Sequence, residues 1–290
     1  MAGQDQGCFH GGGFFVDIGE EFDRLERRYH IINADVLDAW FPPAPGVLAA
    51  IGEHLEWLLR TSPPTSCAGL VRAIARARGV PEECLLPGAG SSDLLFLAFS
   101  HWMGPGSRAL VLDPTYGEYV HLLERVLGCQ VDRLPCRPEL GFAVDPDELR
   151  TALRQGYDLV ALVNPNSPTG RYLDAEVLQA LLTDLPQQTR VWLDETYVDY
   201  VIGGWSLESF AAASEQVVVC KSMSKAYGLS GVRVAYLCGP ARLLADLRRH
   251  LPPWAVSLPG QVAAVQALAD PDYYAGRYRE TSLLRQRLAE

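Results

Sequence analysis

The sequence predicts an α/β fold: an α/β/α three-layer arrangement around a mostly parallel central sheet. From about residue 84 onward, short runs rich in β-branched residues alternate with amphipathic segments, the rhythm of βαβ units. The run 157-YDLVALV-163 is nearly all apolar, as expected of a strand covered on both faces. Hydrophobic residues make up 48% of the 290 and charged residues 21%, ordinary values that leave enough apolar material for such a core.

Taken in order, RALVLD (108–113) reads as a strand and YGEYVHLLERVLG (116–128) as a helix. CQVDRLPC follows as a strand and DPDELRTALRQG as a helix, with Asp145 or its neighbour as cap. YDLVALV is a strand, LDAEVLQALLTDLP a helix, and TRVWLDE, QVVVCK and VRVAYLCG are strands. ARLLADLRRHLP supplies one more helix. Residues 1–30, Gly-rich and then charged, read as an arm, 31–250 as one large domain, and 251–290 as the start of a small C-terminal domain that breaks off mid-element. No internal repeat or low-complexity linker interrupts this pattern.

The formal net charge of -10 argues against nucleic acid or an anionic membrane as partner. No apolar run reaches the roughly 18 residues of a membrane span, and the N-terminus lacks a secretory pattern. Seven cysteines (Cys8, Cys67, Cys84, Cys129, Cys136, Cys220, Cys238) are scattered, odd in number and never spaced as CxxC. They read as free thiols in a reducing cytoplasm, with no metal site.

Ligands of parallel sheets bind in loops at the carboxyl ends of strands, and four such loops carry unusual residues. In 87-PGAGSSDLLFLAF-99, Gly90, Ser91 and Ser92 precede an apolar helical run, either as an anion cradle or as a plain capping loop. Gly88 and Gly90 begin a dinucleotide fingerprint that no third glycine completes. In 113-DPTYGEY-119, Tyr116 either stacks on a planar ligand or packs on the core. The loop 163-VNPNSPTG-170 is tight, polar and rigid, able to orient a ligand through Asn166 or Ser167. In 191-VWLDETYVDY-200, Asp194 follows an apolar strand and needs a positive partner, a protonated ring nitrogen or a nearby Arg.

The stretch 217-VVVCKSMSKAYGLSGVRVAY-236 contains both lysines, Lys221 and Lys225, among 25 Lys and Arg residues. Lys225 lies among Ser222, Ser224, Gly228 and Ser230, with Arg233 eight residues on, a setting that suits a nucleophilic amine. Lys221 ends a strand and reads as a solvent-facing charge.

In this order, NPNSPTG, DETY and SMSKAYGLSGVRVAY resemble the fold type I pyridoxal-phosphate enzymes, within them the class I/II aminotransferases, and most closely the histidinol-phosphate aminotransferase and threonine-phosphate decarboxylase branch. The similarity runs from roughly residue 30 to 290. It implies that 31–250 binds pyridoxal 5'-phosphate and that Lys225 forms the Schiff base. It further implies that Arg233, Ser222 and Ser224 bind the phosphate, with Gly90, Ser91 and Ser92 completing the cup. By the same resemblance Tyr116 stacks on the ring, Asp194 pairs with its nitrogen, and Tyr197 donates to its phenolic oxygen. The family has Asn where Ser167 stands, so Asn166 or the Ser167 hydroxyl takes over that contact. The segment 61-TSPPTS-66 lacks the tyrosine that reaches a partner subunit's phosphate in the family; a homodimer is still implied.

Transamination between a small-molecule amino donor and a keto acceptor is the first expectation. Decarboxylation is the second, suggested by 10-HGGGFF-15 followed by INADVLDAWFPPAP, which is similar to the N-terminus of threonine-phosphate decarboxylases, where this arm covers the substrate. Cofactor binding without turnover, as a remnant or as one module of a larger protein, is a third.

Overall fold

The structure, a computed structural model, describes residues 11–290. Cys8 and His10 lie outside the described residues. Among these, seven strands form one sheet: β1 (Leu85–Gly88), β2 (Arg108–Asp113), β3 (Gln130–Pro135), β4 (Leu159–Val163), β5 (Arg190–Asp194), β6 (Val217–Ser222) and β7 (Ala235–Cys238), ordered β1-β7-β6-β5-β4-β2-β3. β7 runs antiparallel to both neighbours, and the pairs joining β3, β2, β4, β5 and β6 are parallel.

Alternation along each strand sends residues to opposite faces. Leu110, Leu112, Val160, Leu162, Val191, Leu193, Val217 and Val219 join one buried cluster. Ala109, Val111, Leu159, Ala161, Val163, Trp192, Val218 and Cys220 join the other. Both faces are thus covered, as the apolar strands require, giving the three layers. Helix Ser91–Trp102 covers the second face with Leu94, Leu95, Ala98 and Phe99, while helices Pro146–Leu153 and Ala175–Thr183 contribute to the first. Asp145 caps Pro146–Leu153 by accepting from the Asp147 and Glu148 amides at 2.8 and 3.2 Å.

Two elements differ from their sequence reading. The helix after β2 makes one α turn (Gly117–Val120) and then widens into π turns over His121–Val126, where the Leu127 amide donates to the Leu122 carbonyl at 3.0 Å. β7 begins at Ala235, because Ser230–Val232 form a tight 3-10 turn and Arg233 follows at φ 53. At the far end, helix Leu258–Leu268 packs against helices Pro45–Arg60 and Ala68–Arg78, and helix Pro271–Ala289 completes the chain. Near the N-terminus, Gly13–Ile18 forms a short helix whose Ile18 is buried.

Register is what assembles the site. Val163 pairs with Asp194 and Asp194 with Cys220, while Ala235 of β7 faces Ser222 on one side and Gly88 on the other. The loops after β1, β4, β5 and β6 and the turn before β7 therefore open at one edge of the sheet.

Candidate active site

At that edge a cavity of about 130 Å³ is lined by Ser91, Ser92, Tyr116, Ser167, Asp194 and Tyr197 from one side and by Ser222, Ser224, Lys225 and Arg233 from the other. A second cavity of about 580 Å³ adjoins it, shares Ser167, Tyr197 and Lys225, and adds Asn166 and Asp38. A larger hollow of about 1100 Å³ opens beside Asp158, Thr189 and Gln216 at the opposite end of the strands and contains none of the candidate residues.

Lys225 sits on the single turn Met223–Ala226 that follows β6, a turn capped by Ser222, whose hydroxyl accepts from the Ser224 amide at 3.3 Å. Its Nζ donates to Asp38 Oδ1 at 3.0 Å. Lys221 is not solvent-facing: it is 2% exposed and its Nζ contacts Asp199 Oδ2 at 2.8 Å. The reason is that β6 is buried along its whole length, so its last charged residue must find its counterion inside. Arg78 supports the same carboxylate from 3.7 Å and donates to the hydroxyls of Tyr227 and Tyr236. Burial would raise the Asp199 carboxyl, but Lys221 and Arg78 outweigh it and hold the group below its usual range.

Asp194 is buried and accepts from the Tyr119 hydroxyl at 2.6 Å and the Thr196 amide at 2.9 Å. Trp192 Nε1 donates to the same Tyr119 hydroxyl at 3.1 Å, fixing it in place. Among the described residues no Lys, Arg or His forms a salt bridge with Asp194, so this carboxylate is oriented by neutral donors alone. Burial pushes the Tyr119 hydroxyl well up, and the neighbouring Asp194 charge pushes it further. Tyr197 is pushed up to about 12 by burial and by the charges of Asp194 and Asp38, which keeps it a neutral donor.

Gly90 takes φ 97 and ψ 165 just before helix Ser91–Trp102, and a Cβ there would overlap the Arg233 guanidinium. Arg233 donates to Ser224 Oγ at 3.4 Å and to the Ser230 carbonyl at 3.2 Å. The amino end of a three-turn helix, bare backbone and a guanidinium thus converge, an arrangement that attracts an anion. The Ser92 hydroxyl donates to Glu118 at 2.8 Å. Tyr116 meets Tyr119 edge to face at 5.8 Å. Asn166 Nδ2 donates to the Pro114 carbonyl and to Thr169 at 2.9 and 3.1 Å, whereas its Oδ1 is buried with no partner.

The profile of aminotransferase class I and II matches residues 57–290. The chain belongs to the aminotransferase class I and II family. It is 33% identical over 243 residues to histidinol-phosphate aminotransferase of Moorella thermoacetica, covering 83% of this chain and 61% of that one. Histidinol-phosphate aminotransferase from Sinorhizobium meliloti, solved in complex with pyridoxal-5'-phosphate, superposes with a TM-score of 0.80 at 26% identity, over 87% of this chain and 68% of that one. L-threonine-O-3-phosphate decarboxylase from Porphyromonas gingivalis shares the fold, with a TM-score of 0.70 at 24% identity over 83% and 74% of the two chains. The chain thus spans about three fifths of its Moorella relative.

The structure brings together ten of the twelve residues singled out in this family member around the smaller cavity, with Gly90 beneath Arg233 and Asn166 in the adjoining cavity. Sequence reasoning missed Asp38, Glu118, Tyr119 and Thr196. Tyr119 stands one helical turn from Tyr116, a spacing that could have flagged it. Asp38 lies 187 residues from Lys225, and nothing local in INADVLDAWFPPAP points to that pairing.

Proposed function

We propose that this chain is the cofactor-binding part of a pyridoxal-phosphate-dependent aminotransferase acting on an amino acid or amino-phosphate, with Lys225 as the amine that bonds to the cofactor. The observation that supports it most is the meeting, around one cavity, of the Lys225 amine, a buried Asp194 that no Lys, Arg or His among the described residues pairs with, and an anion cradle at Gly90 and Arg233.

The residues fit the cofactor at three points. Asp194 is desolvated yet held by two neutral donors, so a cationic ring nitrogen would complete it. The close approach of Gly90 to Arg233 leaves a backbone and guanidinium surface for a phosphate, with Ser91, Ser222 and Ser224 around it. The orphaned Asn166 Oδ1 and the Ser167 hydroxyl are placed to meet a polar group at the strand end. When bound, the cofactor supplies an electron-accepting ring next to the substrate's Cα. Asp194 would keep that ring protonated, Tyr116 would lie against its face, and Tyr197 would donate a hydrogen bond. Lys225 Nζ is the group placed to take and return the Cα proton.

Further parts of the reading are a large domain over 31–250 that binds the cofactor, an arm over 1–30, a small domain beginning at 251, a homodimer, and a reducing cytoplasm. The last is supported by Cys67, Cys84, Cys129, Cys136, Cys220 and Cys238, all buried free thiols. Among the described residues no helix is long and apolar enough to cross a membrane.

The test is to add pyridoxal phosphate to the purified protein and follow its visible band while an amino donor is supplied. Bleaching of the band together with keto-acid release supports the reading. Carbon dioxide in place of a keto acid moves the assignment to decarboxylation, a band that no donor changes marks binding without turnover, and no band at all refutes it.

A further inference from the structure

Asp38 lies outside NPNSPTG, DETY and SMSKAYGLSGVRVAY, the stretches that supply most of the cofactor-site residues. Asp38 Oδ1 accepts from Lys225 Nζ at 3.0 Å and from Ser230 Oγ at 2.7 Å. Ser230 Oγ also lies 3.1 Å from the Ser224 carbonyl, and Arg233 reaches Ser224 Oγ, so one chain of contacts links Asp38 to the anion cradle. We propose that Asp38 is a positioning residue for Lys225: its carboxylate holds the Nζ ammonium between the two cavities and has to release it before the amine can bond to a carbonyl.

Asp38 precedes a segment that is anchored just downstream of it. Trp40 Nε1 donates to Thr281 Oγ1 at 2.9 Å, the Tyr273 hydroxyl donates to the Pro42 carbonyl at 2.7 Å, and the Ala44 amide donates to the Tyr274 hydroxyl at 3.0 Å. Phe41 and Ala44 are buried. Gly228, at φ 65 in the lysine loop, would place a Cβ 3.3 Å from the Phe41 carbonyl, so the loop and the segment meet backbone to backbone. A carboxylate fixed this way is a constant partner for Nζ. The other ionisable groups that act on it are Arg233 and Tyr197. Burial works to raise the Asp38 carboxyl, but the Ser230 hydroxyl and the Lys225 charge outweigh it and keep the group below its usual range.

The pair is partly open to solvent, with side chains 23% and 42% exposed for Lys225 and Asp38, so it is a hold that a ligand can displace. In the bonding step the ammonium, released from Asp38, gives its proton to water, and the freed lone pair attacks the carbonyl carbon. The carbonyl oxygen departs as water, and nothing is oxidised or reduced.

The chain has just two lysines, which makes the test direct. Protein free of cofactor is reductively methylated with formaldehyde and cyanoborohydride, and labelling of the Lys221 and Lys225 peptides is followed by mass spectrometry. Lys221, buried against Asp199, labels slowly and reports that the fold is intact. Asp38→Asn should label Lys225 about two- to five-fold faster than wild type, the range expected for a partly exposed ion pair. The gap should narrow in about 1 M salt, where screening acts over about 3 Å. Asp38→Glu, which keeps the charge, should label like wild type and decides the matter if Asp38→Asn speeds up both lysines. An unchanged or slower Lys225 in Asp38→Asn, or an Asp38→Glu rate far from wild type, overturns the proposal. Its meaning for function rests on Lys225 being the cofactor amine. The labelling uses no cofactor, so failure of that reading in cofactor titrations would be seen separately.

Discussion

Replacing Gly90 by alanine tests the anion cradle at its tightest point. The backbone there sits at φ 97 and ψ 165, a region other residues avoid, so a side chain costs about 1–3 kcal/mol of folding stability through strain. The added Cβ would also fall on the Arg233 guanidinium, which is tied to Ser224 Oγ at 3.4 Å and to the Ser230 carbonyl at 3.2 Å. Arg233 cannot step aside without giving up those contacts. Loss of one charged hydrogen bond to a bound phosphate costs about 1.5–3 kcal/mol. Converted at about 1.4 kcal/mol per decade, G90A should bind pyridoxal phosphate about ten- to a hundred-fold more weakly. The assay is a titration followed by the visible band of the bound cofactor, with urea unfolding run in parallel. Affinity within about twofold of wild type, in a variant that has lost the stability expected from strain, would refute the placement of the phosphate between Gly90 and Arg233.

Two further predictions concern the charges buried behind the lysine loop. K221M strips Asp199 of its 2.8 Å partner, and breaking such a buried pair costs about 3–5 kcal/mol in urea unfolding. Arg78, 3.7 Å away, should keep the loss near the lower end, and adding D199N should recover most of it; a loss under about 0.5 kcal/mol would mean that the pair is not buried. Glu195 is pushed up from 4.5 to about 7 by burial, only partly offset by the Lys221 charge and by donation from Ser206 and Leu207. Because its folded value lies above the unfolded one, its favourable contribution is complete below pH 4.5 and fades as pH rises through about 7. Wild type should therefore lose up to about 3 kcal/mol relative to E195Q across that window, and parallel stability curves would contradict the assignment.

β2, β4, β5 and β6 were legible because each is a short, largely buried apolar run, and their alternation with amphipathic helices dictates a covered parallel sheet, whereas the edge strand β3 is partly exposed along its length. The candidate residues lie together because register brings the ends of β1, β4, β5 and β6 to one edge. What escaped was decided by distance in sequence. Lys221 carries the same charge as Lys225 four residues on, and the sequence does not reveal that Asp199 and Arg78 come to meet it inside the protein. Asp38 is fixed to Lys225 by hydrogen bonds from helix Pro271–Ala289 to its segment, contacts more than 200 residues apart. The widening of the helix after β2 and the left-handed turn at Arg233 were likewise not read from the sequence.

The central claim is tested most directly by reducing the pyridoxal-phosphate-loaded protein with borohydride and mapping the fixed cofactor by peptide mass spectrometry. A single cofactor on Lys225 is expected, with Lys221 unmodified and with labelling lost in K225A. Modification of Lys221, labelling that persists in K225A, or a loaded protein that fixes nothing would contradict it.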